Sequence, residues 1–112
     1  MQFLFIMMFA VFASTLCAGE WKNVPYYEKN AAAQGNVDYR KERCTLNLST
    51  PDDAKDFPTL IYFHGGGLSH GKGGYPPYID RKKIAVVAVN YRLSGDRAKC
   101  PDYIYDAAAA TA

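Results

Sequence analysis

The chain is poor in the residues that most often carry chemistry: its 112 residues include two histidines, three cysteines and one tryptophan. His64, His70 and the scattered cysteines lack the spacing of a ligand set, so no metal site is indicated. No run of lysine and arginine interleaves with aromatic residues, and the formal net charge is only +2. That balance leaves no electrostatic footprint for nucleic acid or for an acidic surface. There is no internal repeat, and no apolar run is long enough to cross a bilayer. What remains is an ordinary globular composition, 49% hydrophobic and 21% charged, on a chain long enough for one small domain.

The longest apolar run, Phe3 to Ala13, spans 11 residues and is followed by small and polar ones. That is the length of a signal-peptide core, and cleavage after Ala18 or Gly19 suits a peptidase that needs small residues near the cut. The expectation is a signal peptide over residues 1–19 and a secreted or periplasmic mature protein, with no membrane contact beyond the signal. No Lys or Arg precedes the run, and Cys17 follows Leu16 where a lipid-attachment sequence carries a small residue. An uncleaved anchor and a lipid attachment therefore stay open as alternatives. Cys44 and Cys100 remain in the mature chain. Export permits a disulfide between them, whereas two separate packed thiols need no special geometry.

Hydrophobic periodicity predicts several elements. Residues Glu20 to Asn36 show no clear period; Val24 before Pro25 is extended or turn-like, and Ala31 to Gln34 suggests a helical turn ended by Gly35. Arg43 to Thr50 alternates, with Cys44, Leu46 and Leu48 on one side, as in a half-buried strand near a sheet edge. Thr59 to Phe63 and Ile84 to Tyr91 are nearly continuous apolar runs, which predict parallel strands covered on both faces. Tyr78 to Lys83 is expected to form the short crossover helix between them. Pro101 to Ala112 reads as the start of a helix.

The loop FHGGGLSHGKGG, Phe63 to Gly74, contains three overlapping signatures. Gly66 to Lys72 approximates a phosphate-binding loop, yet Gly73 stands where a Ser or Thr hydroxyl would be needed, and Tyr75-Pro76-Pro77 opposes an immediate helix. Gly67 to Gly71 spells a nucleophile elbow around Ser69, yet Ser69 lies six residues past Phe63, and its nearest base, His70, is its sequence neighbour. His64 to Gly67, H-G-G-G, fits a third chemistry. Ester hydrolysis through a serine builds negative charge on the former carbonyl oxygen, and rigid backbone amides aimed there stabilise it. Glycine allows both the unusual φ and the close approach such amides require.

FHGGG after TLIY, then IAVVAVNYRLS and PDYIYDAAAATA, resembles the α/β-hydrolase superfamily, in particular its secreted carbohydrate-esterase or carboxylesterase type, which includes feruloyl and acetyl esterases. The leader NVPYY and the strand ERCTLNLSTP fit the same group, so the resemblance runs from Val24 to the C-terminus. It implies an α/β fold: the N-terminal portion of a doubly wound, mostly parallel sheet, incomplete, with residues 20–112 forming a partial domain that ends before the nucleophile elbow. By the same resemblance Gly66 and Gly67 supply oxyanion-hole amides and Gly65 shapes the loop. His64 orients the loop through its ring. Asn90, Tyr91 and Arg92 brace it from the end of the next strand, and Asp106 caps or pairs structurally. The family's nucleophile, acid and base are expected downstream, so the chain alone has no triad. The implied substrate is a small ester or an acylated carbohydrate, with no cofactor. An exported, non-catalytic binding or partner module is the alternative, with Tyr26, Tyr27, Tyr75 and Tyr78 as candidate contacts. An unpaired sheet edge and exposed apolar faces are expected in either case.

Overall fold

The computed structural model describes residues 19–112, apart from 30, 33, 53 and 54. Within these, four strands form one mixed sheet and two helices flank it: β1 (Glu20–Pro25), α1 (Val37–Arg43), β2 (Thr45–Ser49), β3 (Thr59–Phe63), β4 (Ala85–Val89) and α2 (Asp102–Thr111). The strand order is β1-β2-β4-β3. β3 and β4 pair in parallel, while β1–β2 and β2–β4 are antiparallel. The described portion is thus a small α/β domain with one parallel pair of strands among three, where a mostly parallel sheet was expected. The expected signal peptide lies outside the described residues except for Gly19.

β4 is the core strand. Its sequence AVVAV leaves Ala85, Val86, Ala88 and Val89 buried, as its unbroken apolarity requires. β2 pairs with it over Leu46 to Ser49 and lies one strand in from the edge formed by β1. β3 matches the expected span, but its coverage does not. It forms the other edge of the sheet, is only half-buried, and leaves Phe63 38% exposed. The expected unpaired edge is therefore present among the described residues, with Leu68, Ile104 and Tyr105 also exposed.

Two elements escape hydrophobic periodicity. β1 carries a bulge between Trp21 and Val24, where Asn23 adopts φ 55°. The Asn23 amide, out of the ladder, donates instead to Asn47 Oδ1 at 2.9 Å. α1 is signalled by its ends rather than by an apolar face. The Asn36 side chain accepts from the Tyr39 amide at 2.9 Å, Asp38 sits in the first turn, and Arg40, Lys41 and Arg43 lie in the last. Gly35 accordingly precedes a helix rather than ending one.

Tyr78 to Lys83 forms turns, not the expected helix. Ile79 N donates to Pro76 O at 3.2 Å and Lys83 N to Asp80 O at 3.2 Å, each a single closed turn. Pro76 and Pro77 supply no amide, and the Asp80 carboxylate takes the Lys82 amide at 3.0 Å, which offers that backbone an alternative to helix. At the far end of the chain, α2 begins at Asp102 as expected. Its Asp106 is wholly buried against Arg92, which emerges just beyond β4.

Candidate functional site

Because β3 and β4 run parallel, their C-terminal ends open on the same edge of the sheet. In open α/β sheets that edge faces the ligand crevice. β3 delivers His64 and the glycine loop there, and β4 delivers Asn90, Tyr91 and Arg92.

The loop turns sharply. Gly66, Gly67 and Leu68 all have positive φ, at 128°, 60° and 62°. The Ser69 and His70 amides both donate to the Gly66 carbonyl, at 3.1 and 3.2 Å, which closes the turn. A Cβ on Gly66 would run into the His70 carbonyl oxygen, so this position admits no side chain without a shift. Among the described residues, the amides of Gly65, Gly66 and Gly67 have no hydrogen-bond partner. Beside the loop lies an open, largely apolar hollow of about 440 Å³ lined by Phe63, His64, Leu68, Tyr91, Tyr103, Ile104 and Ala107. A second hollow of about 430 Å³, between β1 and α1, is lined by Pro25, Tyr27, Glu28, Lys29, Arg40, Lys41 and Cys44. It holds none of the loop residues, so we place the candidate site at the glycine loop.

His64 is 8% exposed and held on every side. Its ring stacks on Tyr91 with centroids 4.5 Å apart and planes 13° from parallel. Nδ1 lies 2.7 Å from the Gly65 carbonyl oxygen, and Nε2 lies 3.5 Å from Arg43 Nη2. The Tyr91 hydroxyl donates to the His64 carbonyl at 2.6 Å. Asn90 Oδ1 accepts from the Gly73 amide at 2.6 Å, which anchors the far end of the loop to β4. Asn90 and Tyr91 thus contact the loop itself.

Arg92 acts one layer back. Its guanidinium and backbone amide together make four hydrogen bonds to the Asp106 carboxylate, and it also donates to the carbonyls of Gln34, Asn36 and Asp102. Burial by itself pushes the Asp106 carboxyl up, but the Arg92 side chain and amide, with the Tyr27 hydroxyl, outweigh it and hold the group below the usual carboxylate range. Tyr26 and Tyr27, candidate ligand contacts from sequence, are instead internal braces. Their hydroxyls donate to Asn90 O at 2.6 Å and to Asp106 Oδ1 at 2.7 Å. The Tyr75 ring packs under Arg81, while Tyr78 stands 78% exposed.

Ser69 Oγ sits 3.0 Å from His70 Nδ1 and 3.2 Å from the Gly66 carbonyl. Both side chains are exposed, and among the described residues no carboxylate hydrogen-bonds to His70. The pair lacks the orienting third group of a catalytic triad. Nor does a helix follow Lys72, where a phosphate loop requires one. Among the described residues no cluster of three His, Cys, Asp or Glu could hold a metal ion, and no helix is long and apolar enough to cross a membrane. Cys44 is buried and Cys100 exposed, both as free thiols.

Sequence reasoning missed Arg43. Alternation places it at the head of a strand, but it closes α1 and reaches three partners at the site: Tyr91 O at 3.1 Å, Gly71 O at 3.0 Å and His64 Nε2. Only its place in the basic last turn of α1 signalled that it belongs to a helix.

No protein-family model matches the chain, and no solved structure matches it. Among curated proteins it is 35% identical over 65 residues to phenmedipham hydrolase of Pseudarthrobacter oxydans, a match covering 53% of this chain and 13% of that protein. It is also 35% identical over 52 residues to glutactin of Drosophila melanogaster, covering 45% of this chain and 5% of that protein. The chain therefore spans a small part of the length of the relatives it matches. Together, fold and similarity describe a small α/β domain with a distant, partial relationship to a known hydrolase.

Proposed function

We propose that this chain carries the oxyanion-stabilising part of a serine-dependent carboxylic-ester hydrolase of the α/β-hydrolase type. The observation that carries the reading is the loop after β3: a glycine turn in positive φ whose Gly66 and Gly67 amides have no partner among the described residues, beside an apolar hollow that His64 and Leu68 line. The partial similarity to phenmedipham hydrolase supports the same class.

In this reading an ester carbonyl lies over the loop. Attack by a serine hydroxyl converts the carbonyl oxygen to an anion, and the Gly66 and Gly67 N–H groups donate to it. Loss of one such donor costs about 3–4 kcal/mol of transition-state stabilisation. Gly65 gives the loop its path, while His64, Asn90 and Tyr91 hold it against β4. We assign nucleophile, acid and base to no residue of this chain. The substrate is a small ester or an acylated carbohydrate, and no cofactor takes part. Residues 1–19 act as an export signal, so the protein works outside the cytoplasm, with no nucleic-acid partner.

The chain assayed with p-nitrophenyl acetate is expected to hydrolyse it no faster than buffer, and Ser69→Ala is expected to behave identically. Turnover that disappears in Ser69→Ala would place the nucleophile inside the glycine loop and overturn this division of roles.

A further inference from the structure

The geometry points to Arg43 as a positioning residue that fixes the His64 imidazole in its Nδ1–H tautomer, making His64 a brace of the glycine loop and withholding it from proton transfer. A backbone carbonyl oxygen can only accept, so the 2.7 Å contact between His64 Nδ1 and Gly65 O is a hydrogen bond only when the proton is on Nδ1. In the neutral ring Nε2 is then the acceptor, and Arg43 Nη2, a pure donor, faces it at 3.5 Å. The same Nη2 donates to Gly71 O at 3.0 Å, and Arg43 Nε donates to Tyr91 O at 3.1 Å. One planar guanidinium therefore ties the end of α1 to His64 at the start of the loop, to Gly71 further along it and to Tyr91, two residues beyond β4. A point-charge ammonium cannot hold these three directions at once.

The ring has no other pose open to it. Tyr91 stacks on one face. Gly71, at φ 103°, approaches so closely that a Cβ there would meet His64 Nδ1 and the Gly65 carbonyl oxygen, at 2.7 and 2.8 Å. Both ring nitrogens are occupied, so a histidine that opens an H-G-G-G signature has no lone pair free for a substrate proton. What the braced loop is for rests on the ester-hydrolase reading; the tautomer does not.

The test is a long-range proton–nitrogen correlation spectrum of the histidine rings in the full chain, assigned with His70→Gln. Wild type is expected to show Nδ1 protonated and Nε2 bare at His64. Arg43→Met is expected to give a mixture of tautomers, Arg43→Lys to restore the wild-type pattern through one ammonium N–H on Nε2, and Lys41→Met on the same helix to change nothing. A proton on Nε2 in wild type would overturn the proposal and needs no variant, so an Arg43→Met chain that fails to fold does not shield it. An unchanged Arg43→Met ring, or an Arg43→Lys ring no different from Arg43→Met, would overturn it too. Because no turnover is measured, failure here is distinct from failure of the hydrolase reading.

Discussion

Replacing Asp106 by Asn removes one charge and almost no volume, so its effect isolates the buried ion pair. Both side chains are wholly buried, and Arg92 Nη2 lies 2.8 Å from Asp106 Oδ1. Oδ2 accepts from the Arg92 amide and from Nε, both at 2.9 Å, while Oδ1 accepts from Nη2 and from the Tyr27 hydroxyl. An Asn amide must place its NH2 at one of these two sites. Either placement sets a donor against at least one Arg92 donor. The Asn oxygen at the other site and the carbonyls of Gln34, Asn36 and Asp102 then remain as acceptors, but the guanidinium stays buried without the charge it was paired with. Breaking a buried pair from one side costs about 3–5 kcal/mol. A domain of about 90 residues has only about 5–13 kcal/mol in total. Urea unfolding followed by circular dichroism should therefore show the Asp106→Asn midpoint at about three quarters of the wild-type value or lower, or no folded baseline. Replacing both partners, Arg92→Met with Asp106→Leu, should recover much of the loss, because apolar substitution of a whole buried pair is often neutral. An Asp106→Asn chain within about 1 kcal/mol of wild type, the scale of an exposed pair, would refute the reasoning.

Acid should act through the same carboxyl. Its folded pKa is held below the unfolded value of about 3.9, so its contribution is present above that value and is lost as pH falls through the folded one. Stability curves for wild type and Asp106→Asn should draw together as the pH falls from about 3.9 through the folded pKa. Gly66→Ala should lower the thermal midpoint measurably, since it combines a φ of 128° with a clash against the His70 carbonyl. Gly65→Ala, where a Cβ meets nothing within 4 Å, should change it far less. Burial pushes the Cys44 thiol up to about 12, so a thiol reagent at neutral pH should label exposed Cys100 and spare Cys44 until denaturant is added. Equal labelling rates would contradict the burial.

The elements legible in the sequence were those whose packing writes a period. Leu46 and Leu48 alternate because β2 lies inside the sheet, and AVVAV is continuous because β4 is covered on both faces. β1 and α1 carry no such record. EWKNVP is exposed throughout and owes its strand form to pairing with β2, and VDYRKER is defined by its Asn36 cap and end charges. The crossover helix failed on two prolines and an aspartate that captures a backbone amide. At the site, the glycine loop was visible because positive φ demands glycine. The reach of Arg43 was not visible, because a long side chain joining three segments leaves no local pattern.

The central claim is that the Gly66 and Gly67 amides, without a partner among the described residues, converge on one anion. The most direct measurement is a proton–nitrogen correlation spectrum of the chain titrated with acetate, whose carboxylate stands in for the reacting oxyanion. The account predicts that the Gly66 and Gly67 cross-peaks move downfield together and saturate on one binding curve. Those two peaks remaining still while others shift, or following separate curves, would contradict it.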